Sequence, residues 1–316
     1  MTGPSGVSIA AFAALLALSL LLFWRRFGRV LAIIRQSRPD PAFSPAPWGP
    51  RLARFVSEVL FQTKVIRHRP LPGLAHAFVF WGFLAFALVT LNHLAHGFGF
   101  PFLHPQHSPL ARFYASVAAL FALLVAVSIT GLALRRFLLR PRWLGSQISW
   151  ESGLIALLIL ALMVTYLLEF QGLQTPVLWW IHTVALLVFL PLLPHTKHLH
   201  LILSPLTVLL KQNHFAHLPP LRDEDDFGLD TGRDLSQRLA LQSFSCVECG
   251  RCQQHCPAHL TGKLLNPKEI ALGLRSFLNE NGPNAPAPRR GPPRAGAAGA
   301  PRAAGGAGGV QRRGGV

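Results

Sequence analysis

Five long apolar runs, at about Ser8–Trp24, Leu74–Phe98, Phe113–Leu134, Ser152–Phe170 and Pro176–Leu199, set the main constraint on what this chain can fold into. Each approaches or exceeds the roughly 20 residues that cross a bilayer core as a helix. Buried helices of a large soluble protein are the alternative, and five such runs within the first 200 residues argue against it. The first run has no basic stretch before it and arginines after it, which favours a retained anchor over a cleaved signal peptide. The expected fold class is an all-α membrane protein. Its five transmembrane helices (residues 1–210) precede a small cytoplasmic ferredoxin-like segment (211–280) and a disordered tail (281–316).

Charge orients the expected bundle. Ten Lys and Arg fall in Arg25–Pro72, including Arg25, Arg26, Arg29, Arg67 and Arg69, against only Asp40 and Glu58. The stretch after the third run carries Arg135, Arg136, Arg140 and Arg142. The other two connections, Gly99–Ala111 and Gln171–Thr175, contain neither Lys nor Arg. The positive-inside rule then puts the N-terminus outside the cell inner (cytoplasmic) membrane and everything beyond the fifth run in the cytoplasm. The net charge of +17 is explained by lipid and topology, because the basic residues flank the spans, so nucleic acid is not an expected partner. Leu52, Phe55, Val56, Val59 and Ile66 recur at helical spacing between charges, as in a membrane-surface helix or a docked one.

All four cysteines lie in C-V-E-C-G-R-C-Q-Q-H-C-P, at Cys246, Cys249, Cys252 and Cys256, with Pro257 next. This C-x2-C-x2-C-x3-C-P spacing is that of bacterial ferredoxin ligation, and it predicts a 4Fe-4S cluster. A structural zinc site is the alternative, but it usually presents two separated C-x2-C pairs or recruits histidine. Where two such clusters share ligands, the fourth cysteine of one motif serves the other cluster. Cys256 then either closes the site locally or serves a cluster whose remaining ligands lie elsewhere.

Histidines within spans supply the second chemistry, since ionisable groups there are functional candidates and imidazole is the usual axial ligand of b-type haem. His76 and His93 lie towards opposite ends of the second run, and His200 and His182 towards opposite ends of the fifth. Antiparallel helices let His76 face His200 at the inner side and His93 face His182 at the outer side. Separations of seventeen and eighteen residues span about 26 Å each. Eighteen residues make five helical turns, so His182 and His200 share a face and His195 and His198 lie off it, unless Pro191 and Pro194 kink the helix. His76 and His93 differ by about 100°, which makes His93 the poorer ligand. His104 and His107, in the outer connection, are expected to be solvent-exposed.

The fifth run, W-I-H-T-V-A-L-L-V-F-L-P-L-L-P-H-T-K-H-L-H-L-I-L-S-P, resembles the last helix of the respiratory nitrate reductase gamma subunit family. The resemblance places His182, His200 and Pro205 on that family's two haem ligands and the proline after them, and His76 on its inner-haem ligand. The basic exit R-R-F-L-L-R-P-R from the third run is also similar. At the position of the family's other second-helix ligand stands Phe86, so the outer haem departs from the pattern. Phe244–Leu278 resembles bacterial iron–sulfur oxidoreductases that fuse such a membrane domain to a heterodisulfide reductase-like part. In that branch a second cysteine motif and further cysteine-rich modules follow. Here the chain passes instead into a Gly-, Ala-, Pro- and Arg-rich stretch, a pattern expected of a truncated or frameshifted reading frame, with a regulatory or lipid-attracted tail as the alternative.

Together these readings imply electron transfer between a membrane quinone or quinol and a soluble cytoplasmic redox protein, or the missing C-terminal iron–sulfur modules. The carriers would be one or two b-type haems and a 4Fe-4S cluster. The competing expectation is a haem-free, non-catalytic anchor that docks a redox partner through its cysteine segment.

Overall fold

The computed structural model describes residues 4–40, 43–139, 150–212 and 235–282. Among these residues the secondary structure is helical, apart from one isolated parallel bridge between Arg38 and Ser236. Among the described residues four helices are long and apolar enough to cross a membrane, or five if one bent helix pair counts as a single span. Leu21, Leu120, Leu123 and Leu157 on these helices are all more than half exposed. An exposed aliphatic belt of this kind has its natural neighbour in lipid. The residues beyond 282, Arg140 and Arg142, and residues 213–234 of the expected ferredoxin-like segment lie outside the described part.

The first helix, α1 (Gly6–Gln36), starts on Ser5, whose hydroxyl accepts from the Ser8 N–H. It continues well past Trp24, where the apolar run ends, and tertiary packing accounts for the extension. Val30 and Ile33 join Leu199, Leu203, Ala240, Leu241, Phe244 and Leu278 in one buried cluster. Arg26 and Arg29 donate to the side chain and carbonyl of Asn279 at 2.8 and 2.7 Å.

Next come α2 (Trp48–Phe55), a π turn (Val56–Leu60) and α3 (Thr63–His68). This amphipathic stretch is docked: buried Arg51 donates to the carbonyls of Leu209, Lys211 and Ser44. α3 lies so close to the following helix that a Cβ at Gly73 would stand 2.4 Å from the Val65 carbonyl oxygen.

The second span is α4 (Pro70–Ala85) and α5 (Ala87–Gly97), bent by 44° at Phe86. The Phe86 ring is buried edge-on against Tyr166, with centres 4.8 Å apart. α6 (Pro109–Leu134) presents Ala118, Ala119, Ala122 and Ser128 to its neighbours and runs into a π turn (Arg135–Leu139). Such small residues let helices approach closely in a bilayer. α7 is Trp150–Phe170.

The fifth span departs from the expected single helix. α8 (Pro176–His195) keeps both Pro191 and Pro194 inside it and stops at Thr196. Thr196 is extended, and its hydroxyl accepts from the His198 N–H. A short 3₁₀ turn (Lys197–Leu199) follows, and α9 (His200–Leu209) begins on His200. His182 and His200 therefore do not share a helix, and the five-turn argument for a common face does not apply.

The cysteine segment comprises α10 (Gln237–Phe244), α11 (Arg251–Gln254), α12 (Pro257–Leu260) and α13 (Pro267–Asn281). It packs on the arginine-bearing end of the bundle, through the buried cluster just described and through a hydrogen bond from Arg69 to Gln254. Thr207 and Ser245 link α9 to the residue before Cys246 at 2.7 Å.

Candidate redox site

Two histidine pairs form, at opposite ends of the bundle. His76, in the second turn of α4, meets His200 with ring centres 6.3 Å apart and planes inclined by 34°. Two imidazoles bound trans to one metal, at about 2.0 Å per nitrogen, put their ring centres about 6 Å apart. The His200 Nδ1–H donates to the Lys197 carbonyl at 2.8 Å, which leaves Nε2 as the free acceptor. That tautomer, fixed by a backbone carbonyl, is the one an axial ligand requires. The Nδ1 of His76 is buried without a hydrogen-bond partner. These features fit a haem held between His76 and His200.

His198 belongs to the same cluster, with its ring 6.0 Å from that of His200 and its Nδ1 3.1 Å from the Thr196 hydroxyl. Helical periodicity places it off the ligand face, and only the Thr196 break turns it inward.

The other pair is packed differently. The rings of His93 and His182 are 4.5 Å apart, and that of His93 stacks on Trp179 at 5.1 Å. The Thr183 hydroxyl donates to the Trp179 carbonyl, so His93 Nε2 must donate to it, at 2.8 Å. Likewise the Thr165 hydroxyl is committed to the carbonyls of Ala161 and Leu162, so His182 Nδ1–H donates to Thr165 at 2.7 Å. With one ring against the other and His93 Nε2 used up, this pair as placed does not fit a haem. The bend at Phe86 brings His93 onto His182 despite the 100° offset. Nothing in the sequence marks Thr165 and Thr183, because threonine bonding back to its own helix is routine in a span. His104 and His107 are exposed in the connection between α5 and α6, as expected.

The cysteines occupy a tight loop in the segment that packs on α9, at the end of the bundle that holds His200. Glu248 (φ 58°) and Gly250 (φ 72°) are left-handed, and each folds the loop back. The strain at Glu248 is offset by Arg275, which donates to the Glu248 carboxylate at 2.6 Å and to the Cys246 carbonyl at 3.1 Å. Burial would raise the Glu248 carboxyl, but Arg275, with Lys197 and Lys268, holds it below the usual carboxylate range. Burial pushes the Cys246 thiol up, against the Glu248 backbone N–H and the Arg275 charge. Cys252 is exposed, and Cys246, Cys249 and Cys256 are half-buried. Among the described residues no three His, Cys, Asp or Glu side chains converge on one point. The thiols share one loop without closing on a centre, while the four-thiolate donor set and the left-handed turns suit a cluster.

Two curated proteins match this chain. It is 26% identical over 269 residues to the probable iron-sulfur-binding oxidoreductase FadF of Bacillus subtilis, covering 73% of this chain and 38% of that protein. It is 26% identical over 275 residues to the EtfAB:quinone oxidoreductase of Syntrophomonas wolfei, covering 70% and 37%. The chain is similar to iron–sulfur oxidoreductases. It spans less than two fifths of the length of these relatives. No family model matches it, and no solved structure matches it.

Proposed function

We propose that this chain carries electrons between the membrane quinone pool and a redox partner on its arginine-rich side, taken to be the cytoplasm. In this reading His76 and His200 hold one b-type haem, and Cys246, Cys249, Cys252 and Cys256 supply thiolates to a 4Fe-4S cluster. The observation that carries the proposal is the 6.3 Å His76–His200 pair at the end of the bundle on which the cysteine segment packs. Haem and cluster each supply one-electron chemistry. The protein's part is to hold the imidazoles, fix the His200 tautomer through Lys197, and seat the cysteine segment on the bundle through Arg26, Arg29 and Arg69.

The nitrate reductase gamma-like architecture, the orientation and the quinone partner belong to the same proposal. They are supported by the charge asymmetry of the loops and by the relative named as a quinone oxidoreductase. A menaquinol analogue added to air-oxidised, purified protein tests it. The expected result is reduction of a b-type band together with bleaching of the broad iron–sulfur absorbance. A visible spectrum unchanged by the quinol would favour the haem-free anchor.

A further inference from the structure

Two arginines from unrelated elements lie near the His76–His200 cluster. Arg136 lies in the π turn after α6, and Arg251 opens α11, between Cys249 and Cys252. The Nε of each is buried and has no hydrogen-bond partner. The Arg251 charge reaches His76, and that of Arg136 reaches His198 and Lys197. Lys197 is itself buried, and its carbonyl fixes His200.

Among the described residues, the acids that bear on this cluster are already engaged. Glu248 is paired with Arg275, and the Glu151 carboxylate bears on Lys197. A buried guanidinium nitrogen without an acceptor is costly, and accumulated like charge adds to the cost, so the arrangement calls for an anion. Arginine presents planar paired donors that suit carboxylate above all.

We propose that Arg136 and Arg251 bind the two propionate carboxylates of the haem. This rests on the assignment of His76 and His200 as its axial ligands. Arg251 then touches both centres: its backbone belongs to the cysteine loop and its side chain to the haem edge. The charge of either arginine favours the ferrous form, which carries one positive charge fewer than the ferric.

A redox titration of the b-type band in purified protein tests the proposal, comparing wild type with Arg136→Gln, Arg251→Gln, Arg251→Lys and, as a remote control, Arg112→Gln. The expected result is near-normal haem content with a lower midpoint potential in both glutamine variants. Arg251→Lys should stay close to wild type, and Arg112→Gln should not move. Unchanged potentials in both glutamine variants, with haem bound, would overturn the proposal. Wild-type protein without haem would instead remove the axial-ligand assignment on which it rests. Should Arg251→Gln fail to assemble its cysteine loop, Arg136→Gln decides by the same criterion. Measurement in phosphatidylcholine and in phosphatidylglycerol vesicles separates the other anion source. A wild-type potential that follows the anionic lipid, and stops doing so in the variants, would assign the arginines to lipid phosphate and overturn the propionate reading.

Discussion

His76 and His200 face each other with 6.3 Å between ring centres, although one opens the second span and the other begins a new helix after the fifth. The break at Thr196 produces this relationship. It lets Lys197 turn its carbonyl onto His200 Nδ1, which leaves Nε2 as the free acceptor. At the other end of the bundle His93 and His182 stand 4.5 Å apart and are pinned by Thr183 and Thr165. Two pairs that look alike in the sequence therefore have different capacities.

The pinned pair gives the first prediction. His93→Ala or Thr165→Val should leave any b-type band at wild-type intensity, while Thr165→Val costs about 1–2 kcal/mol through the stranded His182 N–H. Haem per chain, with thermal melting in detergent, checks both. Loss of haem in His93→Ala would show that the pair separates to ligate iron.

Cysteine substitution addresses the cluster. Cys249→Ser should remove the broad visible absorbance and acid-labile sulfide while the b-type band persists, and iron should fall from about five to about one atom per chain. Zinc in place of iron in the wild-type protein would sink the cluster assignment.

Arg275 holds the cysteine loop in its left-handed turn at Glu248. Arg275→Ala should strand that half-buried carboxylate and loosen the loop, and the Cys246 amide in metal-free protein should then exchange with deuterium several-fold faster relative to that of Cys252. An unchanged rate relative to Cys252 would mean that the loop keeps its form without the arginine.

Close approach of α3 and α4 makes Gly73 intolerant of a side chain. Gly73→Ala would push against backbone at Val65 and Ile66 and should cost about 2 kcal/mol, read as a lower melting temperature in detergent. A melting curve identical to wild type would contradict the packing of the α3–α4 corner.

Apolar runs of bilayer length announce the spans, because hydropathy alone decides them. The extension of α1 to Gln36 does not show in that pattern, since Val30, Ile33 and the arginines are held by α10 and Asn279, more than 200 residues away. Likewise Pro191 and Pro194 mark where the fifth helix is weakened, yet the chain breaks only at Thr196, which caps the next turn. The clustering of the cysteines in one loop is legible from spacing, and the meeting of His76 with His200 from their position in the spans. The Thr165 and Thr183 clamps, His198, Arg136 and Arg251 depend on which segments meet, and no local signal marks them.

The measurement closest to the central claim is the reduced-minus-oxidised optical spectrum of membranes carrying wild type, His200→Ala or His182→Ala. A b-type band in wild type, lost in His200→Ala and retained in His182→Ala, is the result predicted here. A band absent from wild type, or unaffected by His200→Ala, would contradict haem ligation by His76 and His200.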